Sequence, residues 1–363
     1  MTHPSSPGFD GFSERPEKGH PLGVHRVLDS LKVLPQGAMQ LDNSLPIYPS
    51  EILLEVDVLN IDAASFVQME SENQGSPDKI AACVLTTVKQ RGKQQNAVTG
   101  SGGMLIGRIA QIGSQFPNDI QAWQVGDKVA TLVSLSLTPL YLEKIIHIDN
   151  HTHQVQVKGY AILFSQTILA KVPQNIPATV ALAVYDVCGA PAYTHHLVKE
   201  NDTIVIIGAG GKAGLLSVFA ASDKLKKTGC LIAIEPSPSA ASDLKKLIPE
   251  ISENVLSIDA RDPMQVYSQI DKITDGKMAD LVINVSSAQD TEMGSILAAK
   301  GRGKVVFFSM ATSFTKVALG AEGIASTATL LFGNGYVPNH SQFAISLLTK
   351  HQGLYDLFCH RYH

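Results

Sequence analysis

Residues Thr203–Gly214 read TIVIIGAGGKAG. Ile204–Ile207 are four β-branched residues in a row, the pattern of a strand buried on both faces of a parallel sheet. Gly208, Gly210 and Gly211 then break the run, and Leu215-Leu-Ser-Val-Phe219 reads as a helix. Strand, glycine turn and helix together give a dinucleotide fingerprint its meaning. The spacing Gly208-x-Gly210-x-x-Ala213 fits the form of the motif that ends in alanine. Gly208 makes the tight turn, and Gly210 lets backbone approach a pyrophosphate. Ala213 or Gly214 lets helix pack on strand. Free N–H groups at the helix start, around Gly211 and Lys212, suit phosphate charge.

Beyond that turn the βα alternation is regular. Further strands are expected at Cys230–Glu235, Val255–Asp259, Asp280–Val285, Lys304–Ser309 and Ala328–Phe332. Helical text such as Glu292-Met-Gly-Ser-Ile-Leu-Ala-Ala lies between most of them. The fold class is α/β, with a doubly wound parallel sheet and ligands expected at the carboxyl ends of its strands. Glu235 closes the second strand, where a carboxylate grips adenosine ribose hydroxyls in NAD enzymes. It lies further from Gly208 than the usual spacing of about 20 residues, which a longer first helix explains. The carboxylate favours NAD, while the hydroxyls of Ser237 and Ser239 keep NADP open. Ser309 and Met310 follow the fifth strand, on the nicotinamide side of the expected site.

At 363 residues the chain is long enough for two domains, each with its own core. A net charge of −4 with no Lys/Arg block argues against a nucleic-acid partner. Residues 1–20 lack an apolar signal-peptide core, and no run of about 18 apolar residues occurs. A cytoplasmic protein with no membrane partner is expected. The four cysteines, Cys83, Cys188, Cys230 and Cys359, are too scattered for a disulfide framework or a four-cysteine zinc site.

The first half reads as a flexible lead-in over 1–19, then short strands between Gly and Asp turns. Glu51–Asn60, Met104–Gly113 and Val129–Val133 are the clearest strands, and together they suggest a β-barrel-like domain. Asp62 is placed to cap a short helix beginning near Ser65. Residues 70–97 are polar and give no clear reading.

Val125-Gly-Asp-Lys-Val129, between a Gly-rich turn and a glycine fingerprint, resembles the medium-chain dehydrogenase/reductase layout. The resemblance implies a GroES-like barrel followed by a Rossmann domain. Many members carry a catalytic zinc. Its cysteine ligand would fall near Asn60-Ile-Asp62, and its Gly-His-Glu motif near Gly100-Ser101-Gly102. Neither the cysteine nor the histidine is present, so no metal is expected; Asp62, His25 and Glu51 show no recognisable ligand spacing.

Longer segments carry a narrower resemblance. They include Gly19–Val27, Leu41–Ser44, Thr99–Gly107, Ala130–Leu140, Asp186–Pro191, Phe307–Lys316, Leu319–Gly323 and Gly333–Tyr336. Together they resemble the L-erythro-3,5-diaminohexanoate dehydrogenase family of lysine fermentation. The resemblance implies oxidative deamination of (3S,5S)-3,5-diaminohexanoate to 5-amino-3-oxohexanoate, with ammonia released. A diamino acid substrate needs a cation for its carboxylate, carboxylates for its ammonium, and a base. Asp62 and Ser65 sit where zinc-dependent relatives place a metal ligand and a proton relay. Asp186, in apolar text, and Glu292, after strand four, are further carboxylate candidates; Lys316 is a candidate partner for the substrate carboxylate, and Ser101 lies on the Gly-rich turn. Against these stand ordinary readings: a helix cap for Asp62, a buried hydrogen bond for Asp186, a first-turn helix acid for Glu292, a surface lysine, a plain turn serine. Cys188 is expected as a buried small residue.

The expected domains are 1–172 (GroES-like), 173–335 (Rossmann) and 336–363, a helical segment packing back on the catalytic domain. A homodimer is expected; the superfamily resemblance implies that the sixth strand, Ala328–Phe332, extends the sheet edge to edge. Competing readings are a zinc-free quinone or enoyl reductase and a non-catalytic NAD(P)-binding redox sensor.

Overall fold

β-Branched runs and glycine turns divide the second half of the chain as expected, and the first half carries more regular structure than its text suggests. The computed structural model describes residues 13–29, 33–97, 100–117, 123–226, 228–333 and 335–363. Thr99 and Asn334 of the matched segments, and residues 1–12 of the lead-in, lie outside the described residues. The chain divides into two units, Met1–Ala178 and Thr179–His363, rather than at 172/173.

The first unit runs β1 (Ile52–Asn60), α1 (Ala63–Glu72), α2 (Pro77–Arg91), β2 (Met104–Ile112), β3 (Lys128–Thr131), β4 (Leu140–Asp149), β5 (Gln154–Leu163) and β6 (Leu169–Lys171). Its strands form one six-stranded sheet in the order β4-β5-β1-β2-β3-β6, with antiparallel pairing throughout. The central strand β1 buries Leu54, Val56 and Leu59 in the same core as Ile80, Val84 and Val88 of α2. Residues 70–97, unreadable as text, thus hold α2. Pro77 stands in its first turn, Gly92 ends it in the left-handed region (φ 65°), and its apolar residues recur every fourth position.

The second unit begins with α3 (Ala178–Tyr185) and α4 (Gly189–Leu197). It continues with β7 (Thr203–Ile207), α5 (Lys212–Leu225), β8 (Cys230–Ile234), α6 (Pro238–Leu247), β9 (Val255–Leu256), α7 (Pro263–Thr274), β10 (Ala279–Asn284), α8 (Glu292–Ala298), β11 (Ala299–Phe307), α9 (Phe314–Gly323) and β12 (Thr329–Phe332). The helices α10 (His340–Lys350) and α11 (Gln352–Tyr362) complete it. The sheet order is β12-β11-β10-β7-β8-β9, all parallel. That is the Rossmann order 3-2-1-4-5-6 read from the far edge, with β7 as first strand. β9 is shorter than expected because Asp259 turns to bond the Arg261 backbone and guanidinium. The segment 336–363 belongs to this unit: α10 packs on α4 and α5, and α11 follows it. Among the described residues, no helix is long and apolar enough to cross a membrane.

The described part of the lead-in is tied to the segment before β1. Arg15 bonds the carbonyls of Pro46 and Ser44, the Tyr48 hydroxyl and Asp42. Behind it, Arg26 and Glu51 are fully buried. Glu51 accepts four bonds. Oε1 takes Arg26 Nε (2.7 Å) and His25 Nε2 (2.8 Å); Oε2 takes Arg26 Nη2 (2.6 Å) and the Tyr48 N–H (2.8 Å). His25 Nδ1 accepts the His20 N–H, so Nε2 carries the proton given to Glu51. Burial works to raise the Glu51 carboxyl, but Arg26 and His25 outweigh it and hold the carboxyl below its usual range.

This pair sets a stability prediction. Glu51→Gln removes the two-armed countercharge of a buried guanidinium, leaving Asp42 at 3.8 Å, and destabilises the first unit by about 3–5 kcal/mol. The chain's one tryptophan, Trp123, lies in that unit's core and reports its unfolding in urea. The folded carboxyl titrates below the unfolded one, so the wild-type contribution is complete above pH about 4.3 and is lost as pH falls toward the folded value. An unchanged urea midpoint in Glu51→Gln would show that the network adds nothing.

Candidate active site

The glycine turn is built by close approach. Gly208 has φ 82°, and a Cβ there would lie 2.7 Å from Cα of Ser286. A Cβ at Gly214 would lie 2.1 Å from the Gly208 carbonyl oxygen. Gly214, rather than Ala213, is therefore the residue that lets α5 pack on the turn. α5 starts at Lys212 with Gly211 as its N-cap, and no side chain caps its first N–H groups. Those donors and the helix dipole fit a diphosphate, so the residues present suit a dinucleotide.

Glu235 stands beside this turn and is buried. Its Oε2 accepts the Gly210 N–H at 2.8 Å, and its Oε1 accepts the Ser237 N–H at 2.9 Å. Ser237 caps α6, and its hydroxyl lies 3.0 Å from that of Ser239. A carboxylate oxygen has two acceptor directions, so each oxygen keeps one for a ribose hydroxyl. Two residues here escaped sequence reasoning. Arg361 of α11 donates from Nη1 to the Gly210 carbonyl (2.9 Å) and from Nη2 to Asp243 (3.0 Å). No local sequence signal joins residues so far apart.

The remaining candidates of the second unit fall into two groups. Asp186 forms an ion pair with Lys212, which joins a catalytic candidate to a cofactor candidate. The aspartate is thus paired, and its side chain is 24% exposed rather than enclosed in apolar packing. Glu292 is buried, at 2% exposure, and its Oε1 accepts the Ser313 N–H at 2.8 Å. Ser313 caps α9 by accepting the Lys316 N–H. Lys316 itself is 54% exposed and pairs with Asp290. Asn284, at the end of β10, is fully buried and donates to Thr291 and Ser295. Ser309 accepts the Ala311 N–H, and Met310 beside it is exposed. Cys188 is buried, and burial with the nearby Asp186 pushes its thiol up to about 12, so it stays protonated.

In the first unit, Asp62, Ser65 and Ser101 surround one end of the sheet. Asn60, at the end of β1, pairs with Met104, at the start of β2. That register brings Asp62 and the Gly-rich turn together. A Cβ at Gly103 would lie 2.0 Å from the Asn60 carbonyl oxygen. Asp62 Oδ1 accepts the Ser65 N–H at 3.0 Å and caps α1. Its Oδ2 is buried and has no hydrogen-bond partner among the described residues. Ser65 is fully buried. The backbone of Gln94 packs against Gly102, whose Cβ would lie 2.3 Å from the Gln94 carbonyl oxygen. Gln94 is also buried, and its Oε1 likewise lacks a partner among the described residues. Asn96 donates to Gln68 of α1 at 2.7 Å. Gln68, Gln94 and Asn96 were missed; the polar run Lys93-Gln-Gln-Asn96 before the Gly-rich turn was the available signal. Lys93 is fully buried, and burial pushes its ammonium down to about 8, while it donates to the carbonyls of Pro35 and Gln36.

Among the described residues, no three His, Cys, Asp or Glu side chains are grouped to hold a metal. His25 and Glu51 bond each other and Arg26. His147 lies in β4, and His153 stacks on Phe66.

Residues 25–173 match the model of the L-erythro-3,5-diaminohexanoate dehydrogenase N-terminal domain. A curated relative of that name from Acetoanaerobium sticklandii is 43% identical over 333 residues, covering 92% of this chain and 96% of its own. Another from Fusobacterium nucleatum is 41% identical over 344 residues, covering 94% and 98%. Among solved structures, CurK enoyl reductase is similar with a TM-score of 0.52 at 16% identity, covering 86% of this chain and 82% of its own. A quinone oxidoreductase of Pseudomonas syringae pv. tomato gives 0.52 at 17%, covering 90% and 86%. A mycobacterial protein solved with NADPH gives 0.53 at 15%, covering 87% and 82%. These likenesses show the fold: a GroES-like unit and a Rossmann unit, as in medium-chain dehydrogenase/reductases. The full-length identities show more, and the chain belongs to the L-erythro-3,5-diaminohexanoate dehydrogenase family.

Proposed function

We propose that the chain catalyses the nicotinamide-dependent oxidative deamination of (3S,5S)-3,5-diaminohexanoate to 5-amino-3-oxohexanoate, as a cytoplasmic step of lysine fermentation. The observation that carries this reading is 41–43% identity to relatives of that name along almost the whole chain. The cofactor supplies the acceptor for the hydride leaving C3. The chain's residues must keep the C3 amine neutral, hold the second ammonium and the carboxylate, and deliver water to the imine carbon. Water adds there, the C–N bond breaks, and ammonia leaves.

Asp62 is the best-supported base, because Oδ2 is a buried acceptor with no hydrogen-bond partner among the described residues. Ser101 lies across the same strand ends. Asp186 and Glu292 are proposed for the ammonium, and Lys316 for the carboxylate. Lys316 would exchange Asp290 for substrate, and Asp186 would share its charge with Lys212. Gly208, Gly210, Gly211, Lys212, Ala213, Glu235, Ser237, Ser309 and Met310 are the proposed cofactor residues.

Asp62→Asn separates cap from chemistry, since Asn caps a helix as well as Asp. With NAD and 3,5-diaminohexanoate, measuring NADH and ammonia together, wild type yields both in equal amounts. Asp62→Asn loses about 10²-fold or more in kcat/KM with an unchanged melting temperature. Turnover near wild type would remove Asp62 as base; cofactor binding without any wild-type turnover would favour a redox sensor.

We further propose NAD over NADP, because the Glu235 carboxylate repels a 2′-phosphate. The expected kcat/KM ratio favours NAD by about tenfold or more. A preference for NADP would shift the assignment to the hydroxyls of Ser237 and Ser239.

Finally, we propose a homodimer through the sheet edge at β12. Phe332 on that strand is half-exposed, and exposed Phe314 packs against it with ring centroids 5.4 Å apart. An open edge with apolar residues invites strand pairing. Light scattering should give twice the chain mass for wild type and a lighter species for Phe332→Glu; a monomeric wild type would reject the dimer.

A further inference from the structure

Gly210 is the second glycine of the fingerprint, and ionised side chains hold it on both sides. Its N–H belongs to the peptide shared with Ala209, and Glu235 takes it at 2.8 Å. Its carbonyl belongs to the peptide shared with Gly211, and Arg361 takes it at 2.9 Å. A planar peptide fixed at one atom is largely fixed in direction. Together the two anchors restrain both soft torsions of a residue that otherwise has the widest backbone freedom. They also set where the Gly211 N–H points, since it lies opposite the Gly210 carbonyl in the same plane.

The second guanidinium bond runs to Asp243 at 3.0 Å. Asp243 lies on α6, the helix capped by Ser237. Arg361 therefore ties the last turn of α11 to the glycine turn and to the helix that follows Glu235. It is a cation paired with Asp243, beside a turn suited to a diphosphate. A solvated surface arginine would not choose a fingerprint carbonyl as acceptor in preference to water without this geometry.

We propose that Arg361 is a positioning residue for the cofactor. It locks the Gly210–Gly211 peptide in the form that receives a dinucleotide and offsets the Asp243 carboxylate beside it. Its target is the adenosine diphosphate half, and the chemical step is untouched. The assignment rests on the reading of Gly208–Gly214 as the cofactor turn.

The test is calorimetric titration of ADP-ribose into the full-length wild type, Arg361→Ala, Arg361→Lys, Asp243→Asn and Gly210→Ala, with steady-state kinetics alongside. Loss of a charged hydrogen bond to the turn weakens ADP-ribose in Arg361→Ala by about tenfold and raises KM for NAD equally. The kcat at saturating NAD stays within about twofold, as does KM for the diamino acid. Arg361→Lys, which keeps the charge but not the two-armed geometry, recovers part of the loss. Asp243→Asn, which keeps the carbonyl bond, loses less than Arg361→Ala. Wild-type ADP-ribose affinity in Arg361→Ala overturns the proposal. If that variant does not fold, wild-type affinity in both Arg361→Lys and Asp243→Asn overturns it. Gly210→Ala separates the two levels, because its Cβ would lie 2.7 Å from Glu235 Oε2. Normal ADP-ribose binding in Gly210→Ala removes the glycine-turn reading itself. Weak binding there with normal binding in Arg361→Ala removes only the role of Arg361.

Discussion

The second unit depends on the absence of side chains at three positions of one turn. Gly208, Gly210 and Gly214 each stand where a Cβ would fall within 3 Å of another residue. Those contacts are to the segment after β10, to the carboxylate after β8 and to the turn's own backbone. The glycines thus set how closely α5 approaches β7 and how closely β8 and β10 flank it. Strand order follows: β7 lies between β8 and β10 because the first crossover goes one way and a later one returns on the other side. The start of α5 follows directly with no side-chain cap, and its N–H groups suit an anionic ligand.

How much of this was legible depends on where each element gets its stability. β7, β8 and β10 are buried on both faces, so continuous apolar text identified them within a residue or two. Asp62 as a cap was legible because capping is local, and the structure places its Oδ1 on the Ser65 N–H. α2 was not read, although its start and stop signals were present. Its buried residues are Ile80, Val84 and Val88, and the charged and polar ends around Asp78-Lys79 and Lys89-Gln-Arg91 hid the stripe. The hairpin of β4 and β5 was hidden for a related reason: much of β4 is exposed, so its text does not look like a strand. Arg361 lay beyond sequence reasoning altogether, since a hydrogen bond over such a separation leaves no pattern in either segment.

The carboxylates can be separated by what remains unfilled on them. Glu51 accepts four bonds, two on each oxygen, which saturates its lone pairs. Nothing further can bind to it without displacing Arg26, His25 or Tyr48, so its burial is structural. Glu235 accepts two backbone N–H groups and retains two directions, which suits a residue that shapes the turn and still meets a ligand. Glu292 gives one oxygen to Ser313 and in doing so fixes the start of α9, the helix that carries Lys316.

Asp62 differs from all of these. Its capping bond uses one oxygen, and the other is buried with no donor among the described residues. A buried acceptor left in that condition costs about 1–3 kcal/mol unless a water or a ligand supplies the proton. A cap alone would not require that cost, because an exposed second oxygen would serve the helix equally well. The nearby Gln94, buried and also without a partner on Oε1, repeats the pattern across the Gly-rich turn. Two such acceptors on segments joined through Gly102 and Gly103 are expensive to keep for folding alone. They are consistent with a site for an amine, whose N–H groups are the donors that these oxygens lack.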